Sequence, residues 1–155
     1  MSQTAAYAAL RNEIGKEIHV SPWFDVTQEA VSAFADATHD HQWIHVDPER
    51  ASRESPYRTT IAHGYFTLSL YPALREMVDE DRPVFPGVKQ VVNYGIEKLR
   101  FPNAVKVGSR VRARCSVVSV EEVKGALQLV ERYTAEIEGE DRPGCVADLV
   151  MRLYF

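Results

Sequence analysis

The sequence predicts an α+β fold in which a curved antiparallel sheet wraps around one long central helix. The C-terminal half alternates apolar and polar residues: Val111, Ala113, Cys115 and Val117 interleave with Arg110, Arg112, Arg114 and Ser116. Leu127, Leu129, Tyr133, Ala135 and Ile137 repeat the pattern, and Ala147, Leu149, Met151 and Leu153 repeat it to the terminus. A period of two gives each strand one apolar face, and short turns such as Lys124-Gly125 join the strands into an antiparallel meander. Residues 63–77 are apolar nearly all round, through Tyr65, Phe66, Leu68, Leu70, Tyr71, Ala73 and Leu74. That marks a helix enclosed by other structure, and it supplies the cover that a one-faced sheet requires.

Residues 4–14 read as a short helix with Ala5, Ala9 and Leu10 on one side, stopped by Gly15; residues 1–15 are then an N-terminal helical extension. Residues 18–26 alternate imperfectly around Pro22 and suit an edge strand carrying Trp23 and Phe24. Thr27 offers an N-cap, Gln28 and Glu29 occupy the first turn, and Ala30, Val31, Phe34 and Ala35 form a buried helical stripe. Residues 41–60 show little periodicity, with Pro48 and Pro56 as punctuation, so an irregular excursion is expected there. Pro72 removes one backbone bond from the central helix and is expected to kink or shorten it. Residues 79–87 are a polar connection, and residues 88–101 form the first of four strands, with Gly95 a candidate bulge.

A length of 155 residues suits one domain, 1–155, and 45% hydrophobic with 26% charged residues is ordinary for a soluble globular chain. A formal net charge of −4 argues against a dedicated nucleic-acid surface. No apolar run approaches the roughly 18 residues of a membrane span, and no basic segment precedes an apolar core at the N-terminus. The expected location is cytoplasmic, with neither membrane nor nucleic acid as partner. Cys115 and Cys145 fall on apolar strand positions and read as core thiols.

The chemistry concentrates in residues 34–45, where three histidines, two acids, Gln42 and Trp43 crowd the end of a helix. Asp40 and His45 stand five residues apart, about 140° on a helix and an odd number of steps on a strand, so they meet only across a turn. Downstream, Gly64 opens the long apolar run, and a helix start leaves backbone N–H groups open to a ligand oxygen. Together these offer an acid, a base and an oxyanion site. The plainer readings are a helix-end carboxylate for Asp40 and a satisfied, partly buried side chain for His45. His39, His41 and His45 in a His-x-His-x3-His pattern suggest a metal, but the interleaved acids and the lack of regular geometry make a poor zinc template. No metal is expected; His41 is read as solvated and His63 as shaping the turn before Gly64.

These residues resemble the MaoC-like, (R)-specific enoyl-CoA hydratase and dehydratase family, whose fold is the hot-dog fold. The family signature is Asp, one residue, Asn-Pro, one residue and His, then five residues and a small one, with His-Gly later at the start of the central helix. Asp40, His45, Ala51 and His63-Gly64 match it, while Gln42 replaces the Asn and Trp43 the Pro. The form Asp-His-Gln-Trp-Ile-His-Val-Asp, with Asn93-Tyr94-Gly95 and Arg100-Phe101-Pro102, is similar to the nodulation-protein-N-like and mycobacterial branch.

The resemblance implies hydration of trans-2-enoyl-CoA to (R)-3-hydroxyacyl-CoA, or the reverse dehydration. Asp40, His45 and Gly64 would be catalytic, and Gln42, His63, Asn93 and Tyr94 substrate-binding, although Asn93 and Tyr94 equally suit filling the sheet. No cofactor is implied, because coenzyme A belongs to the substrate. Arg110, Arg112 and Arg114 either meet its phosphates or form a solvated strand face, the second being the expectation. Open sheet edges and the family habit imply a homodimer with the site at the interface. The competing functions are a hot-dog acyl-CoA thioesterase and a non-catalytic acyl-CoA-binding protein.

Overall fold

The computed structural model describes residues 1–155. Strands β4 (Arg110–Val123), β5 (Ala126–Ile137) and β6 (Cys145–Tyr154) form the expected antiparallel meander. β3 (Gln90–Arg100) pairs antiparallel with β6 and forms one edge, while β1 (Glu17–Val20) and β2 (Phe24–Asp25) both pair with β4 at the other. The single edge strand expected over 18–26 is therefore two, broken around Pro22, which has no N–H for the ladder. Gly95 does sit at a bulge: the register shifts between Asn93 and Gly95, and again between Ile96 and Lys98.

The arginine side of β4 is taken up within the sheet. Arg110 pairs with Glu138, Arg112 with Glu136, and Arg114 with both Glu136 and Glu17, while Trp23 lies 4.5 Å beneath the Arg112 guanidinium. Opposite charges facing one another across strands stabilise the ladder and leave these arginines partnered inside the chain.

The long central helix is in fact two short ones, α5 (Gly64–Ser69) and α6 (Tyr71–Leu74), meeting at Leu70. Pro72 is the cause, since it cannot donate to the carbonyl of Leu68 and its ring crowds that turn. Nor is the segment enclosed on all sides. Phe66, Thr67, Tyr71 and Leu74 are buried, but Tyr65 is 66% exposed.

Five side-chain hydrogen bonds seat the broken helix on the sheet. The Tyr133 hydroxyl donates to the Thr67 carbonyl at 2.9 Å, and His19 Nε2 donates to the Leu74 carbonyl at 2.8 Å. Glu131, fully buried on β5, accepts from the Tyr71 hydroxyl at 2.7 Å and from Arg75 Nε and Nη2 at 3.1 and 3.2 Å. The apolar pattern of β5 carries a trace of this network, because Glu131 stands between Leu129 and Tyr133 where an apolar residue would continue the run.

α1 (Gln3–Asn12) begins at Ser2, whose Oγ accepts from the Ala5 N–H. The side it buries is that of Ala6, flanked by Tyr7 and Leu10, whereas Ala5 and Ala9 are exposed; the stripe lies one residue from the expected one. Residues 41–60 are also more regular than expected, holding α3 (Trp43–Val46) and α4 (Pro48–Glu54). The start of α4 is written in the chain: Asp47 caps the Arg50 N–H at 2.9 Å, Pro48 opens the helix and Glu49 lies in its first turn. Both cysteines are buried and unbridged. One cluster of 23 buried residues joins helices and sheet, and no helix is long and apolar enough to cross a membrane.

Candidate active site

α2 (Gln28–Thr38) is capped by Thr27 and ends on His39, which adopts the left-handed conformation at φ 59°. The chain reverses there, so Asp40 and His45 meet across a turn. The ligand-capable atoms of Asp40, His45 and His63 all lie within 4.8 Å of one another. The pattern His39, His41, His45 does not converge: His39 and His41 are exposed, and His41 Nε2 lies 2.8 Å from Asp36. Asp40 with His45 and His63 is instead the donor set that could hold a cation.

His45 is 6% exposed, and its Nδ1 lies 2.7 Å from the Ile61 carbonyl, which can only accept. Nδ1 therefore carries the proton and Nε2 keeps its lone pair. His63, 4% exposed, donates from Nε2 to the backbone carbonyl of Asp40 at 3.0 Å and stacks on His45 with centroids 3.8 Å apart. Its Nδ1 is buried without a hydrogen-bond partner. His63 thus does more than shape the turn, since it fixes the backbone of one member of the pair and the ring of the other.

Burial holds the His45 imidazolium below its ordinary pKa, and the neighbouring His63 acts in the same sense, against the Ile61 hydrogen bond. The side-chain amide of Gln42, donating to Asp40 Oδ1 at 3.1 Å, keeps the Asp40 carboxyl below the usual range. At neutral pH the pair is a carboxylate facing a neutral imidazole. His63 Nε2 and Asp40 Oδ2 are 3.9 Å apart, too far for a direct hydrogen bond. Two hydrogen bonds of about 2.8 Å to one water span about 4.5 Å, so the cluster has the spacing of groups that share a solvent molecule.

Gly64 is the first residue of α5, and its N–H has no carbonyl in helical register to bond. A side chain there would meet the Phe101 ring, with a Cβ 2.9 Å from Cδ2. Glycine is what lets that ring lie against the helix tip. Gln42 is spent on Asp40. Asn93 and Tyr94 lie on exposed β3 and line an open cavity of about 450 Å³ with Leu68, Tyr71 and Pro72. Asp40, His45 and His63 are not among the residues that line that cavity.

The family model described as MaoC like domain matches residues 9–140. The chain is 49% identical over 146 residues to a protein of Mycobacterium tuberculosis named 3-hydroxyacyl-thioester dehydratase Z, covering 94% of this chain and 93% of that one. It is 44% identical over 156 residues to Nodulation protein N of Rhizobium leguminosarum bv. viciae, covering 96% and 91%. The structure superimposes on the (R)-hydratase from A. caviae involved in PHA biosynthesis with a TM-score of 0.68 over 91% of this chain and 96% of that one. At 23% identity the last likeness speaks for the fold alone, which is the hot-dog fold. From the matched domain and two relatives alike over nearly their whole length, the chain belongs to the MaoC-like hydratase and dehydratase family and is a hydro-lyase.

Proposed function

We propose that the protein interconverts trans-2-enoyl-CoA and (R)-3-hydroxyacyl-CoA thioesters with a water activated by Asp40 and His45. The observation that carries this reading is an ionised carboxylate and a neutral imidazole whose ligand-capable atoms lie within 4.8 Å of each other, beside a helix that begins with glycine. The name of the mycobacterial relative supports the choice of a thioester substrate.

In the hydration direction Asp40 orients the water and His45 Nε2 draws on its proton. The water oxygen bonds to Cβ as the alkene π bond opens toward Cα, and the proton is delivered to Cα on the same face. Negative charge building on the thioester oxygen is met by the Gly64 N–H, a donor whose loss typically costs about 10²–10³ in rate. The addition is redox-neutral and needs no further cofactor. Two copies pair along β3, whose outer edge is unpaired and carries Tyr94 at 65% and Ile96 at 44% exposure.

The test is crotonyl-CoA hydration: the conjugated enoyl absorbance disappears, no free thiol forms, and the product is the (R)-alcohol. Asp40→Asn and His45→Gln each lose about 10²–10⁴ of the rate while keeping the fold. Thiol release in place of hydration makes the protein a thioesterase, and an (S) product or full turnover in both variants overturns the mechanism.

A further inference from the structure

Gln28 takes no part in the chemistry described above, yet its carboxamide joins the backbone of His45 to the segment that supplies the carbonyl partner of the His45 ring. Its Nε2 donates to the His45 backbone carbonyl at 2.7 Å and to Ser32 Oγ at 3.1 Å. Its Oε1 accepts from Thr60 Oγ1 at 2.6 Å. Thr60 is 1% exposed and immediately precedes Ile61, whose carbonyl accepts from the His45 Nδ1–H at 2.7 Å. The loop is tied a second time where the Ile61 N–H donates to the Ile44 carbonyl at 3.0 Å.

One side chain therefore holds both ends of the hydrogen bond that sets the His45 tautomer. Through Nε2 it fixes the backbone from which the imidazole hangs, and through Oε1 it fixes the residue next to the carbonyl that the imidazole reads. We propose that Gln28 is a positioning residue for His45: it keeps the proton on Nδ1 and the lone pair on Nε2 aimed at the shared water. This rests on the hydration reading for its effect on rate, but not for its effect on the imidazole.

The requirement is specific to an amide. A glutamate at 28 has the same shape and still accepts from Thr60, but as a carboxylate it has no hydrogen for the His45 carbonyl, so two acceptors would face each other at 2.7 Å. His45 and its stacked neighbour His63 would then shift against Asp40.

The experiment compares Gln28→Glu with Glu29→Gln, an exposed change one residue along the same helix. Two quantities are read: the split of kcat and KM with crotonyl-CoA, and the downfield proton resonance of the His45 Nδ1–H, assigned by its absence in His45→Gln. The proposal expects Gln28→Glu to lower kcat by about tenfold or more with KM changed less than about threefold, and to lose or broaden the resonance. Glu29→Gln should change neither. Loss of the resonance in a protein that proves not to hydrate enoyl-CoA leaves the positioning role standing and removes only the hydration reading. A sharp, unshifted resonance in Gln28→Glu overturns the proposal whatever the rate does, and so does an equal effect in Glu29→Gln.

Discussion

Replacing Arg75 with methionine should destabilise the protein more than any surface change. Arg75 is 8% exposed, and its guanidinium supplies two of the three hydrogen bonds that Glu131 accepts. Burial works against the Arg75 charge, but its contact with Glu131 outweighs that and raises its pKa. Arg75→Met leaves a fully buried carboxylate with only the Tyr71 hydroxyl, and stranding one member of a buried ion pair costs about 3–5 kcal/mol. An unfolding entropy of about 2.1 cal/mol/K per residue over 155 residues gives about 0.33 kcal/mol per degree, so Tm should fall by about 9–15 °C. The assay is urea or thermal unfolding of the single variant beside a triple variant, Arg75→Met, Glu131→Met and Tyr71→Phe. With no polar atom left unpaired, the triple variant should recover at least about half of the loss. A cost under about 1 kcal/mol in the single variant, or no recovery in the triple one, would refute the view that this network clamps the helix after Pro72.

Further outcomes follow from the same geometry. Because burial depresses the His45 pKa, its lone pair persists to lower pH than in an ordinary imidazole. The acid limb of kcat/KM should therefore fall below about 6.5, and a limb above that value in a pH–rate profile would contradict the assignment. The depression has the same sign for stability: the unfolded chain binds the proton first, so His45 withdraws stability as pH falls through the unfolded value, a loss that His45→Gln should lessen in low-pH unfolding curves. Gly64→Ala places a methyl against Phe101, so turnover should drop at least about tenfold. Its Tm should change little, as the alanine helix preference of about 0.5–1 kcal/mol offsets part of the steric cost, and unchanged kcat would show that the glycine tip is dispensable. Burial pushes Cys115 and Cys145 up to about 12, so neither should react with a thiol reagent at pH 8 until the chain is unfolded, and rapid native labelling would contradict their placement.

Whatever depends on neighbours along the chain is legible from residue order alone. Alternation fixed the faces of β4, β5 and β6, because a period of two survives any packing. Gly95 fixed a bulge, Pro72 an interruption, and Asp40, His45 and Gly64 were marked by residue type and spacing. Where local signals are weak the structure differs from the expectation: α1 buries Ala6 in place of Ala5 and Ala9, and Asp47-Pro48-Glu49 opens α4 within a segment that lacks apolar periodicity. Which distant groups meet depends on how the elements pack. His63 stacks on His45 at a sequence separation of 18, Gln28 reaches Thr60 at 32, and Tyr71 reaches Glu131 at 60. Packing also put Asn93 and Tyr94 on the edge strand β3, lining a cavity with Leu68, Tyr71 and Pro72. Such meetings depend on how a helix cut short by proline settles on a curved sheet, and on which buried polar atoms then need partners. Neither is encoded in the periodicity of any one segment.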